Sequence, residues 1–188
     1  LIIGFHGQIG SGKNLAADRL EAMVKLPCIK RAFADKLKES SAALFGFSKE
    51  KWDEYKNDPD AVISFSVGGE IVYELTARQF LQRYGTEAHR SIFSDDFWVR
   101  YALADVPRDC LLLITDVRFP NELDGIHENG GVVLHMKGIE EREVLHDSEQ
   151  ILTGCDFVIH NHIRDDNYYY LDSQLRNVAI TLNIPLRR

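Results

Sequence analysis

The chain has 188 residues, 45% of them hydrophobic and 27% charged, with a formal net charge of −7. That length suits one domain with a substantial core and is short for two of ordinary size. The negative balance argues against a general nucleic-acid or lipid-surface binder, which needs a positive field, but leaves room for a local basic pocket that takes phosphates.

In chain order, Leu1–Phe5 ("LIIGF") reads as a first strand that runs straight into "HGQIGSGKN" without the basic leader of a signal peptide. A helix is predicted from Lys13 to about Val24, a second strand over Cys28–Phe33 and a second helix from Asp35 to about Phe45. The next stretch, "SKEKWDEYKNDPD", is polar and reads as a loop, and "VISFSVGGEIVYEL" alternates around Gly68-Gly69 as a hairpin does. Residues 46–75 therefore read as an insertion on the substrate side of a nucleotide core. Thr76 and Gln79 form a capping-box pattern that opens a helix through about Arg90, and Ser94 caps another through Ala104.

Further strands are expected at Cys110–Thr115, Val132–Met136 and Asp156–His160. Pro120 suits the first turn of a helix ending near "ENGG", and a last helix spans about Tyr168–Leu182. Short apolar runs alternating with amphipathic stretches are the pattern of a parallel α/β sheet covered on both faces. No apolar run approaches the roughly 20 residues of a membrane span. Cys28, Cys110 and Cys155 are scattered, as thiols in a reducing compartment are. His160 and His162 flank Asn161 with no third ligand near in sequence, which argues against a metal site there.

The glycine loop carries the first chemical signal. Gly7, Gly12 and Lys13 complete G-x-x-x-x-G-K, between an apolar strand and the helix "NLAADRLEAMV". In that context the glycines let backbone N–H groups turn inward, the helix N-terminus favours anions, and Lys13 reaches the outer phosphates of a nucleotide. The bland alternative is a tight turn with an exposed lysine. Asn14 stands where a Ser or Thr hydroxyl ordinarily ligates magnesium, so the cradle is expected while metal ligation by the loop is in question.

The second signal is "CLLLITDVRFPNELDGI", where an apolar strand ends in Asp116 with Arg118 two residues on. Open α/β sheets place ligands at such strand ends, and a guanidinium there suits a phosphate. The alternatives are a carboxylate satisfying backbone N–H groups and a surface ion pair. Trp98 is open between stacking on a base and packing in the core. Arg142, in "KGIEEREVLHDSE", is read equally as a cation on a closing loop and as part of a solvated charge run. His146 and Glu149 would order that loop, and Ser148 could equally cap a helix. Lys36 and Lys38 lie at the same ligand-bearing edge, with a surface role the default.

The blocks "TDVRFPNE" and "LTARQFLQRYGTEAHRSIFSDDFWVRYAL", with "HDSE" and "CDFVIHN", resemble the phage-type deoxynucleoside monophosphate kinases over almost the whole chain. The resemblance implies one P-loop NTPase domain over 1–188 with a nucleotide-kinase-like α/β fold: a central five-stranded parallel sheet flanked by helices, the 46–75 insertion and a lid over 137–150. It implies transfer of the γ-phosphoryl of ATP to a deoxynucleoside monophosphate, with Mg2+, in the cytoplasm (a host's, if phage-encoded) and without nucleic-acid or membrane partners; a homodimer is left open.

Position by position, the resemblance assigns Gly7, Gly10, Ser11, Gly12, Lys13 and Asn14 to the ATP phosphates and Asn161 to the neighbourhood of the adenine. It assigns Arg78, Gly85, Thr86, Trp98, Asp116, Arg118 and Glu122 to the acceptor. Lys13, Arg118, Asp116 and Arg142 would carry the chemistry, with Asn14 and Asp116 near the metal. Family loops often read G-K-D-T, and some carry a basic residue at the place of Ile9, so this loop departs from the pattern at Ile9, Asn14 and Leu15. The rival readings are a small-metabolite kinase on the same fold, such as a dephospho-coenzyme A kinase, and a non-catalytic ATP-binding module.

Overall fold

The computed structural model describes residues 1–58, 60–138, 152–161 and 168–187, apart from the side chains at 49, 56, 67 and 86. Most of the expected lid, with Arg142, His146, Ser148 and Glu149, lies outside the described residues, as does His162. The chain divides into two compact units: Leu1–Phe33 with Leu103–Arg188, and Ala34–Ala102.

The first unit is built on β1 (Ile2–His6), β2 (Cys28–Arg31), β5 (Leu111–Val117), β6 (Val132–Lys137) and β7 (Phe157–His160). They form one parallel sheet in the order β2-β5-β1-β6-β7. Every residue of β1 is buried, as a central strand covered on both faces requires. Successive side chains alternate between the two faces. Ile3 and Phe5 join Leu111, Leu113, Leu134 and Met136 against Ala16, Ala17 and Leu20 of α1 (Lys13–Met23) and Leu171, Leu175 and Val178 of α7 (Tyr169–Thr181).

The opposite face receives α6 (Pro120–Glu128), which approaches so closely that a Cβ on Gly4 would stand 2.6 Å from the Ile126 Cδ1. The helices that follow β1 and β5 thus cover opposite faces of two neighbouring strands. That arrangement opens a crevice at the carboxyl ends of those strands, where α/β sheets bind ligands. All five expected strands are present, within two residues at each end.

The second unit holds most of α2 (Phe33–Leu44), then α3 (Lys49–Asn57), β3 (Val62–Val67), β4 (Glu70–Thr76), α4 (Ala77–Gln82), a π-helix (Arg83–Arg90) and most of α5 (Phe97–Leu103). The hairpin turns at Gly68 and Gly69, both at positive φ (64° and 88°). The Thr76–Gln79 capping box forms in both directions, at 3.2 and 3.0 Å. A small aromatic core packs Trp52, which is fully buried, against Phe45, Phe47 and Phe80.

Two elements differ from the sequence expectation. "SKEKWDEYKNDPD" is not a loop over most of its length: α3 forms there, with Ser48 capping Lys51 N–H at 3.2 Å. Trp52 and Tyr55, three residues apart, supply an apolar edge that the surrounding charges conceal. The expected helix through Arg90 changes at Arg83 from α to π, where Gly85 meets α2 so tightly that a Cβ would fall 2.9 Å from the Leu37 Cδ2. Among the described residues no helix is long and apolar enough to cross a membrane. The three cysteines are half-buried thiols, and burial, with Asp156 adding to it, pushes Cys155 up to about 11.

Candidate active site

The loop leaves β1 at His6 and enters α1 at Lys13. Gly7, Gly10 and Gly12 take φ of 143°, 81° and 89°, a region that favours glycine over any residue with a Cβ. Ser11 N–H donates to Gln8 O at 3.1 Å, closing the turn. Helix α1 begins at Gly12 with no side-chain cap and no acidic residue in its first turn. Its leading amides and the positive end of its dipole are therefore directed at whatever anion enters the loop. Lys13 Nζ donates to Gly7 O and Gln8 O at 2.5 and 2.8 Å, spanning the loop it follows. Asn14 is exposed on the first turn of α1.

Asn161, at the end of β7, donates its Nδ2 to Ser11 O at 3.0 Å and so holds the loop from the side. A Cβ on Gly12 would lie 2.1 Å from that nitrogen. The resemblance puts Asn161 near the adenine; in the structure its side chain braces the phosphate loop. Among the described residues the buried Ser11 hydroxyl and Asn161 Oδ1 have no hydrogen-bond partner. Two such polar atoms beside one loop are consistent with a polar ligand entering it.

Sequence reasoning passed over His6. Its ring is buried, with Nδ1 3.0 Å from Val117 O and Nε2 accepting Leu152 N–H at 3.1 Å. Because Nε2 accepts, Nδ1 carries the proton and the ring is neutral. Burial pushes its pKa below the usual histidine range; the bond to Val117 opposes that and the Lys13 charge reinforces it. The available signal was one polar side chain closing an otherwise apolar strand directly before Gly7.

The His6–Val117 bond draws the ends of β1 and β5 together, so Asp116 stands beside the start of the loop. Asp116 Oδ1 accepts Phe33 N–H at 2.7 Å. Arg118 follows with an exposed side chain, and its backbone N–H and that of Phe119 both donate to the Glu122 Oε2, at 2.7 and 3.1 Å. Glu122 is 3% exposed, so its carboxylate shapes the turn that presents Arg118. Asn14 and Asp116 offer one amide oxygen and one carboxylate. That donor set fits a magnesium ion held mainly by nucleotide phosphates and water, and among the described residues no cluster of three or more His, Cys, Asp or Glu could hold a metal without them.

In the second unit, Arg78 is exposed in the first turn of α4. The Trp98 Nε1–H donates to Gly85 O at 3.0 Å across the π-helix. The resemblance puts the Trp98 indole at the nucleotide; the structure buries it to 3% exposure among Tyr84, His89, Phe97 and Tyr101. Thr86 lies on the same π-helix. The loop, Asp116, Arg118, Glu122 and Asn161 are thus assembled within one unit, and Arg78, Gly85, Thr86 and Trp98 belong to the other.

No family model matches the chain. It is 31% identical over 191 aligned residues to a protein of Acanthamoeba polyphaga mimivirus named "Putative deoxynucleotide monophosphate kinase", covering 90% of this chain and 92% of that one. Among solved structures it is similar to the shikimate kinase of Bacteroides thetaiotaomicron, at a TM-score of 0.47 and 10% identity over 98% and 99% of the two chains. The shikimate kinase of Aquifex aeolicus gives 0.48 and 10% over 97% and 96%. A sugar kinase of Janibacter gives 0.46 and 15% over 97% and 94%. With the parallel sheet, the glycine loop and the relative covering nine-tenths of its length, the chain belongs to the deoxynucleoside monophosphate kinase family and is a kinase of P-loop type.

Proposed function

We propose that the chain transfers the γ-phosphoryl of ATP to the phosphate of a deoxynucleoside monophosphate, giving ADP and a deoxynucleoside diphosphate for DNA precursor synthesis. The observation that carries this reading is the uncapped, acid-free start of α1 at a strand end shared with Asp116 and Arg118. An acceptor phosphate is already an oxyanion at neutral pH, so no strong base is needed; catalysis is positioning and charge stabilisation. Lys13 and the amides of Gly10, Gly12 and Asn14 would hold the donor phosphates. Arg118 and Arg78 would hold the acceptor, and Arg142 would add charge as the transfer proceeds. Asp116 and Asn14 are the groups that would face Mg2+, which neutralises donor phosphate charge when bound.

The test offers purified protein ATP and Mg2+ with each deoxy- and ribonucleoside monophosphate, and with dephospho-coenzyme A, and follows ADP release. Release with one or more deoxynucleotides is expected. Release with dephospho-coenzyme A alone would favour the small-metabolite reading, and none with any acceptor would reduce the chain to a binding module. Arg118→Ala should raise the acceptor KM about tenfold or more while leaving ATP affinity nearly unchanged, the loss of one charged hydrogen-bond donor. Unchanged kinetics would remove Arg118 from the acceptor site.

A further inference from the structure

On α7, Leu171, Gln174, Leu175 and Val178 follow the i, i+3, i+4, i+7 spacing of one helical face. The two leucines and the valine are buried in the main core. Gln174, half-buried, puts a polar amide where an apolar side chain would complete the stripe. That amide is bonded at three points. Its Oε1 accepts His160 N–H at 2.9 Å, and its Nε2 donates to His160 O at 2.9 Å and to Tyr170 O at 3.2 Å. Only one orientation serves, since a flipped amide would set its oxygen against two carbonyls and its nitrogen against an N–H.

His160 ends β7, and β7 is the outermost strand on its side of the sheet. Asn161 N–H donates inward to Lys137 O of β6 at 2.7 Å. Backbone groups alternate sides along a strand, so the N–H and C=O of His160 face the open edge. Gln174 pairs with both, as a further strand would. Asn161 is thereby tied to β6 by its own N–H and to α7 through the residue before it. What it then does needs close placement: its Nδ2 donates to Ser11 O at 3.0 Å, and a Cβ on Gly12 would lie 2.1 Å from that nitrogen. The same helix grips the one that the loop enters, because Arg19 of α1 makes a two-point ion pair with Asp172.

We propose that Gln174 is a positioning residue of the phosphate loop: by pinning His160 it fixes where Asn161 meets Ser11, and so how the loop amides are presented to donor phosphates. The inference rests on the reading of that loop as the ATP site and extends it to a side chain on the last helix. Gln174→Met keeps the length and helix propensity of the side chain and suits the apolar face, but removes all three hydrogen bonds. Leu175→Val trims the core on the same face and is the control for a merely structural effect.

The experiment compares the full chain with Gln174→Met, Asn161→Ala, their double variant and Leu175→Val. It measures ATP affinity by calorimetry, the ATP and dNMP KM from ADP release, and the exchange rate of the Ser11 amide by NMR. Gln174→Met should weaken ATP about three- to tenfold, the scale of a hydrogen bond. It should also speed Ser11 exchange several-fold and leave the dNMP KM within about twofold. Added to Asn161→Ala it should change neither ATP affinity nor Ser11 exchange further, and Leu175→Val should alter neither. Unchanged ATP affinity and exchange in folded Gln174→Met would overturn the role while the kinase reading stands. So would losses that add to those of Asn161→Ala, or equal losses in Leu175→Val. If the wild type neither binds ATP nor releases ADP, the kinase reading falls and Ser11 exchange decides. Faster exchange in Gln174→Met but not in Leu175→Val then upholds the positioning role, and unchanged exchange refutes it. If Gln174→Met does not fold, Gln174→Glu, which keeps an acceptor for His160 N–H and loses both donations, is judged by the same outcomes.

Discussion

Gly12→Ala tests whether Asn161 braces the phosphate loop. Gly12 sits at φ 89°, and a Cβ there would stand 2.1 Å from the Asn161 Nδ2, the atom that donates to Ser11 O. The substitution therefore carries two costs. Left-handed backbone at a residue with a Cβ costs about 1–2 kcal/mol. Displacing the amide, which is the far end of a side chain and can swing away, forfeits one hydrogen bond at about 0.5–1.5 kcal/mol. The single variant should lose about 2.5 kcal/mol, the middle of the roughly 1.5–3.5 kcal/mol that those two terms span. Asn161→Ala alone should lose about 1 kcal/mol, the hydrogen bond only. In the double variant the bond is already gone, so the loss should stay near 2–3 kcal/mol and fall short of additivity by about 1 kcal/mol. Urea denaturation of the four proteins, analysed as a double-mutant cycle, gives the number. Additivity to within about 0.3–0.5 kcal/mol would show that Gly12 and Asn161 act independently and would refute the brace.

Three further substitutions probe single contacts. His6 is held neutral, with its folded-state pKa below its unfolded value near 6.5, so the unfolded chain takes up the proton first as pH falls. Its stabilisation is complete above the unfolded value and is lost as pH drops from there through the lower folded value. His6→Gln should thus flatten the fall in urea midpoint between pH 7.5 and pH 5.5, and an unchanged slope would discount His6. Trp98→Phe deletes the donor to Gly85 O and should cost about 1–2 kcal/mol in urea denaturation; an unchanged midpoint would mean the bond contributes nothing. Asp116→Asn keeps an oxygen for Phe33 N–H but removes the charge. It should leave stability within about 0.5 kcal/mol and raise the Mg2+ concentration for half-maximal ADP release several-fold. A large stability loss with unaltered Mg2+ dependence would make Asp116 scaffold alone.

The parts of the fold legible in the sequence are those fixed by near neighbours. The inner strands β1, β5 and β6 are apolar runs because both of their faces are covered, and the edge strands β2 and β7, partly exposed, are still short enough runs to be read without a partner residue. Thr76 and Gln79, Gly68 and Gly69, and Pro120 act within one turn of themselves. What stayed hidden depends on distant chain. Gly85 reads as an ordinary helical glycine until Leu37 and Trp98 converge on it. Asn161 reaches Ser11 across 150 residues of sequence and His6 reaches Leu152 across 146, contacts that spacing cannot disclose. Trp52 is a third kind of miss: one buried ring decides a helix whose other side chains are mostly polar.

The proposed function would require a chain of net charge −7 to gather two phosphate-bearing ligands at one strand end. Carboxylates facing that mouth would repel both. Glu122 turns inward and accepts the two amides of Arg118 and Phe119, and Asp116 gives one oxygen to Phe33. The acids so placed orient cations and backbone instead of facing phosphate. Arg118 is presented outward by the very turn Glu122 holds, and α1 carries no acid in its first turn to cancel its dipole. Asn14 is consistent with that economy of charge. A neutral amide on the first turn of α1 leaves the helix N-terminus unopposed, and under the proposed function Asp116 would be the carboxylate that accompanies a metal coordinated mostly by phosphates and water. On the proposed reading the loop would be an anion cradle first, with any metal contact falling to the neighbouring strand.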